Sequence, residues 1–141
     1  MIRQLTAIVA LGVFVLLTGF ARADDQDKFQ GMWKPQKAVV DGMELPAETT
    51  AKMAIEFKGN KATAYDGDRS EKEEEFKLDG SKSPKTIDIK RADGKLVPGI
   101  YEFDGETLKI CFSVGSDMRP TKFESPEGSK SMFLVLKKQA K

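Results

Sequence analysis

From Met53 to Lys58 apolar and polar side chains alternate, with Met53, Ile55 and Phe57 facing one way and Glu56 and Lys58 the other. A repeat of two is the repeat of an extended strand, whose successive side chains point to opposite faces. The same rhythm returns at Phe76 and Leu78, Ile87 and Ile89, Tyr101 and Phe103, and Leu108, Ile110 and Phe112 around Lys109. Each of these strands offers one apolar face to a shared interior. The run Met132 to Leu136 is apolar on both faces and predicts a well-covered strand before Lys137 and Lys138.

Corners separate the runs: Asp41-Gly42, Gly59-Asn60, Asp66-Gly67, Asp79-Gly80, Asp93-Gly94, Asp104-Gly105 and Glu127-Gly128. Glycine and an Asp or Asn neighbour tolerate the positive φ of tight hairpin turns, so the spacing predicts a meander of antiparallel strands. One segment breaks the pattern. Pro46 to Lys52 opens on proline, has an early acid and a late lysine, and predicts a short helix acting as a lid or plug. Ser70 to Glu75 is densely charged; a solvated strand edge protected from aggregation fits it better than an acidic recognition patch. Ser113 to Lys130 is the longest loop, and it is placed to line a barrel mouth. The fold class is therefore all-β: a small antiparallel β-barrel of about eight strands, either filled with side chains or holding one small ligand.

The first residues carry a different pattern. Arg3 gives a positive start, Leu5 to Phe20 is uncharged and apolar, and Ala21-Arg22-Ala23 places small residues where a signal peptidase reads. Residues 1–23 are thus expected to be a cleaved signal peptide, and 24–141 one barrel domain. The apolar run is shorter than the ~20 residues that span a bilayer comfortably, so a retained anchor is the lesser reading. Cleavage would remove two of the 23 basic residues and none of the 22 acidic ones, leaving a mature net charge of −1. Such balance, with no basic stripe, argues against nucleic acid as a partner. The expected location is periplasmic or extracellular, with no stable membrane insertion after cleavage. The single cysteine, Cys111, is expected to be a small strand side chain, since it cannot form an internal disulfide.

With no histidine in the chain, the commonest general base and the commonest metal ligand are both missing. Ser-His-Asp and Cys-His chemistry is closed to it, and no metal site is expected. Asp66 to Ser70 begins like a calcium loop, but Glu71 stands where that loop needs glycine and Lys77 where it needs a bidentate glutamate. The glycines stand singly at turns, so no phosphate-cradling motif and no cofactor is implied.

The cluster Phe29-Gln30-Gly31-Met32-Trp33-Lys34 holds the only tryptophan, with a glycine two residues before it. Gly31-x-Trp33 resembles the first signature of the lipocalins, and the resemblance implies that Lys137 or Lys138 covers the indole in place of that family's arginine. A broader likeness runs through Phe29 to Trp33, Asp41-Gly42, Pro84 to Asp88, Gly99 to Tyr101, Asp104 to Phe112 and Arg119 to Phe123. Together these resemble a lipocalin-like domain of unknown function that is abundant in exported proteins of planctomycete bacteria. The resemblance implies export and a small barrel, and no particular activity.

The first expectation for function is a monomeric, non-enzymatic binding module that takes a small hydrophobic or amphipathic ligand. Trp33, Phe57, Tyr101 and Phe112 are the candidate wall residues; the alternative for Trp33, which fits it better, is structural packing with the indole capping one end of the barrel. Arg119 is the candidate contact for an anionic group at the mouth, because its guanidinium offers a fixed fork of donors; its alternative is a loop arginine pairing a nearby acid. The rival reading is a filled barrel serving as a structural or protein-interaction module, with another exported protein as partner. Acid catalysis by Glu102, Asp104 or Glu106 comes third, since nothing singles these carboxylates out, and no catalytic residue is assigned.

Overall fold

The computed structural model describes residues 25–140, so the expected signal peptide and its cleavage point lie outside the described residues. Ten strands follow a short helical segment, α1, at 25–29. They are β1 (Gly31–Val40), β2 (Met43–Glu44), β3 (Met53–Lys58), β4 (Lys61–Asp66), β5 (Arg69–Ser70), β6 (Glu74–Asp79), β7 (Lys85–Lys90), β8 (Leu96–Asp104), β9 (Thr107–Ser113) and β10 (Ser131–Lys138). A second helix, α2 (Ala47–Thr50), lies between β2 and β3. Around the sheet the order is β10-β9-β8-β7-β6-β4-β3-β1, and β10 pairs back onto β1, closing an eight-stranded antiparallel barrel. The two-residue strands β2 and β5 hang on β1 and β4. The expectation of a small lipocalin-like all-β barrel holds.

Alternation and register together put the apolar faces inside. Leu134 stands opposite Ile110, which in turn stands opposite Tyr101. Phe76 faces Ile89, and Phe57 faces Ala62. Where β1 meets β10 the register shifts between Pro35 and Lys37. That bulge absorbs a proline, which has no N–H for the ladder, and lets both Pro35 and Ala38 be buried. The wall is uneven in one place: β4 and β6 share only two ladder pairs, Lys61 with Glu75 and Ala62 with Glu74.

The β1–β2 corner at Asp41-Gly42 has φ of 50° and 85°, the left-handed pair that a two-residue hairpin requires. It is fastened to the far loop, because Gly42 N–H donates to Ser125 O at 2.8 Å and Asp41 N–H donates to Ser131 O at 3.1 Å.

One end of the barrel is filled with aromatic rings. α1 drops Phe29 into it, fully buried, with ring centroids 5.0 Å from Phe57, 5.1 Å from Tyr101, 5.2 Å from Phe103 and 5.7 Å from Phe76. Most of these contacts are edge-to-face, the arrangement in which ring quadrupoles attract. Gln30 staples α1 to the β3–β4 corner, accepting from Gly59 N–H at 2.6 Å and donating to Gly59 O at 2.9 Å. The plug is therefore α1, which the hydrophobic pattern did not announce as a helix. The expected plug, α2, packs beside β1 and β3 and is not among the residues lining either cavity.

Removing the Phe29 ring should empty that end. Phe29→Ala is expected to lower the unfolding free energy by about 3–5 kcal/mol in urea denaturation, the range for emptying a buried aromatic site. A loss below about 1 kcal/mol would mean that the surrounding rings close the end without it.

Candidate functional site

At the filled end, Trp33 and Tyr101 are held by polar contacts. Trp33 Nε1–H donates to Phe29 O at 2.7 Å, and Lys138 Nζ lies 5.6 Å from the indole centroid. Gly31 explains how the lysine reaches there: at φ 120° it has no Cβ, and one built on it would come 2.9 Å from Lys138 Cε. The implied lysine cover over the tryptophan is thus present, supplied by Lys138. Tyr101 Oη–H donates to Asp25 Oδ2 at 2.8 Å, and Lys85 Nζ donates to the same oxygen at 2.9 Å.

Burial acts to raise the pKa of the Asp25 carboxyl, but hydrogen bonds from Lys85 and Tyr101 and the charges of Lys85 and Lys28 outweigh it and hold it below its ordinary value. The Tyr101 phenol is pushed up, first by burial and then by its bond to Asp25.

The other end is open. Above the aromatic layer the interior widens into a cup of about 880 Å³. Its floor is Phe57, Ile87, Ile110 and Leu134, all buried. Ile55, Ile89, Val97 and Phe112 form the apolar wall. The lip is polar: Glu71, Lys72 and Glu74 stand on the β5–β6 side, Arg91 and Lys95 on the β7–β8 turn, and Ser116 and Asp117 on the loop after β9. Exposed Leu96 and Val114 interrupt this charge. The cup also reaches the short β4–β6 seam, where Ala62 and Ala64 line it.

No family model, curated protein or solved structure matches the chain. The geometry alone sorts the expected wall residues. Phe57 and Phe112 meet in the cup, while Trp33 and Tyr101 belong to the filled end and are absent from the cup's lining. Alternation turns Phe57, Tyr101 and Phe112 inward, while Trp33 packs at one end of the barrel; height along the barrel axis is set by strand stagger and by the plug, which alternation does not encode.

Arg119 lies outside the wall. Its Nη1 donates to Gly99 O at 2.8 Å and Ile87 O at 3.4 Å, and its Nη2 pairs with Asp88 Oδ1 at 2.7 Å. The pairing with a nearby acid is what this arginine does, beside an outer groove of about 500 Å³ that also includes Ile100 and Pro120. The loop that carries it divides in two. Ser113 to Asp117 lines the cup's mouth as expected; the later part runs over the outer face of β7–β9, above Ile100 and Cys111, both fully or nearly fully buried. Cys111 Sγ–H donates to Glu124 O at 3.3 Å, and burial raises the pKa of its thiol.

Glu102, Asp104 and Glu106 line neither cavity, and Asp104 sits 3.7 Å from Lys109 Nζ. Among the described residues no group of three or more Cys, Asp and Glu side chains is placed to hold a metal ion. No described helix is long and apolar enough to cross a membrane.

The buried carboxylate at the filled end sets a pH dependence. A carboxyl whose pKa falls on folding adds stability above its unfolded value of about 3.9 and loses it as the pH drops through the folded value. Lys85 lowers the Asp25 pKa most but is half-exposed, so solvent screens that pair, and the bond from buried Tyr101 adds to it. Asp25→Asn is expected to lower the unfolding free energy by about 1–3 kcal/mol near pH 7, the range for a hydrogen bond to a charged group. That gap should narrow as the pH falls below about 4. Urea titrations at several pH values check it, and a gap independent of pH would refute the charge-based account.

Proposed function

We propose that the protein is an exported, non-enzymatic binding module of lipocalin-like type that takes one small apolar or amphipathic molecule into the open half of its barrel. The observation that carries this reading is the cup of about 880 Å³ over a floor of Phe57, Ile87, Ile110 and Leu134. Ligand sites fall at roughly 300–1,000 Å³, lined mainly by apolar side chains with a few polar groups at the edge. A barrel filled throughout its length would leave no such space.

No buried side-chain nitrogen or oxygen lacks a partner among the described residues. The cup therefore presents no orphaned polar group deep inside, and selection falls to shape, burial and the charged lip. The likeness of the Phe29–Trp33 and Asp104–Phe112 segments to exported lipocalin-like domains supports the same reading.

A neutral solvatochromic dye such as Nile red tests it. The dye should brighten and shift to the blue on binding, and straight-chain alcohols from hexanol to decanol should displace it. Each added methylene is expected to tighten displacement about fourfold, the equivalent of roughly 0.8 kcal/mol per buried CH₂. Ala64→Trp, which places a bulky ring at the mouth, should weaken dye binding at least about tenfold while leaving the far-UV circular dichroism unchanged. No dye binding, or a chain-length series that is flat, would remove the cup as a ligand site.

A further inference from the structure

The register of the β7–β8 hairpin adds a specificity to this cup. Ile89 pairs with Val97, and both belong to the wall. Beyond them Arg91 N–H donates to Lys95 O at 2.8 Å, so these two residues stand across from one another at the tip of the hairpin. With side chains alternating between faces, Arg91 and Lys95 return to the face of Ile89 and Val97, one step nearer solvent. Both line the cup.

Like charges directly opposite one another on a sheet repel. Among the described residues neither side chain makes an ion pair or a hydrogen bond; the nearest acid in register is Glu74, one step beyond the Glu75–Lys90 pair and across from Arg91 at the lip. The one acid in the turn, Asp93, accepts the backbone N–H of Lys95 at 3.0 Å and makes no ion pair with either cation. Elsewhere the lip is mixed, since Lys72 stands between Glu71 and Glu74, and Asp117 is single. The hairpin tip is therefore where the lip concentrates two charges of one sign, directly above an apolar wall.

Resting on the binding role assigned to the cup, we propose that its ligand is a single-chain amphiphile with an anionic head. The carboxylate lies between Arg91 and Lys95, and the hydrocarbon chain runs down past Ile89 and Val97 to the floor at Ile87 and Ile110. Arginine and lysine divide the work. The guanidinium supplies a planar pair of donors that matches a carboxylate, and the ammonium adds a point charge from the facing strand. An anion at that place also lies between two like charges that face each other.

Three ten-carbon probes separate the head from the chain: decanoate, decanol and decyltrimethylammonium, each displacing Nile red from the full mature protein at about pH 8. Decanoate is expected to bind about tenfold or more tightly than decanol, as a charge-assisted hydrogen bond implies, with the advantage shrinking as salt rises. In the double variant Arg91→Gln, Lys95→Gln that advantage should vanish, while decanol affinity stays within about twofold and the thermal midpoint does not fall, because both side chains are exposed and their charges repel. Tighter binding of decyltrimethylammonium than of decanoate, or an unaltered decanoate affinity in the double variant, overturns the anionic head while decanol binding keeps the cup. Failure of all three probes and of the dye overturns the cup itself.

Discussion

Phe29 on the barrel axis, ringed by Phe57, Phe76, Tyr101 and Phe103, is the contact on which the rest of the molecule depends. An eight-stranded barrel is only wide enough inside for one layer of side chains to meet across it. A ring brought in at one end therefore decides which half is solid and which half stays hollow. The ring is held from two directions: its own carbonyl accepts the Trp33 indole N–H, and Gln30 fixes the helix to the β3–β4 corner. Lys138 then closes over Trp33 where Gly31 leaves room. A helix of five described residues, too short to be stable alone, is thus kept in place wholly by what it touches.

One flank of the wall, at β7–β9, is finished from outside. Ile100 and Cys111 point away from the interior, opposite in phase to Tyr101 and Ile110, and would be wet apolar positions in a bare barrel. The loop after β9 lies over them. Arg119 anchors it by bonding two strand carbonyls and Asp88 at once, and Ser125 ties its return to the Asp41-Gly42 corner. The same loop begins by edging the cup at Ser113 to Asp117, so one segment serves both the mouth and the outer flank.

Much of the barrel was legible in residues. Met53 to Lys58 is a strand with the bounds its alternation implies, and the paired glycine corners fall between strands. Phe57 and Phe112 face the hollow interior, and facing inward is a matter of parity that the residues encode. Height along the axis is not: Trp33 and Tyr101 have the same parity and lie in the solid half, since stagger between strands is fixed by the whole ring. Asp25 gave no signal, because its partners Lys85 and Tyr101 are 60 and 76 residues away. Arg119 pairs with an acid, as its alternative reading held, but which acid was hidden for a related reason. Only the folded loop shows that Asp88, facing outward between Ile87 and Ile89, is waiting for it. The helix at 25–29 was hidden by brevity, and the two-pair β4–β6 seam by the charged stretch that precedes it.

The chain's two described ends leave from the same side. Residues 25–29 sit in the solid half, and β10 runs from Met132, opposite Phe112 at the cup, to Lys138, beside Trp33. Gln139 N–H then donates to Met32 O at 2.8 Å. Any tether joined to either end, whether to a surface, a carrier or a second module, would hold the vessel upright by its base and leave the opening turned outward.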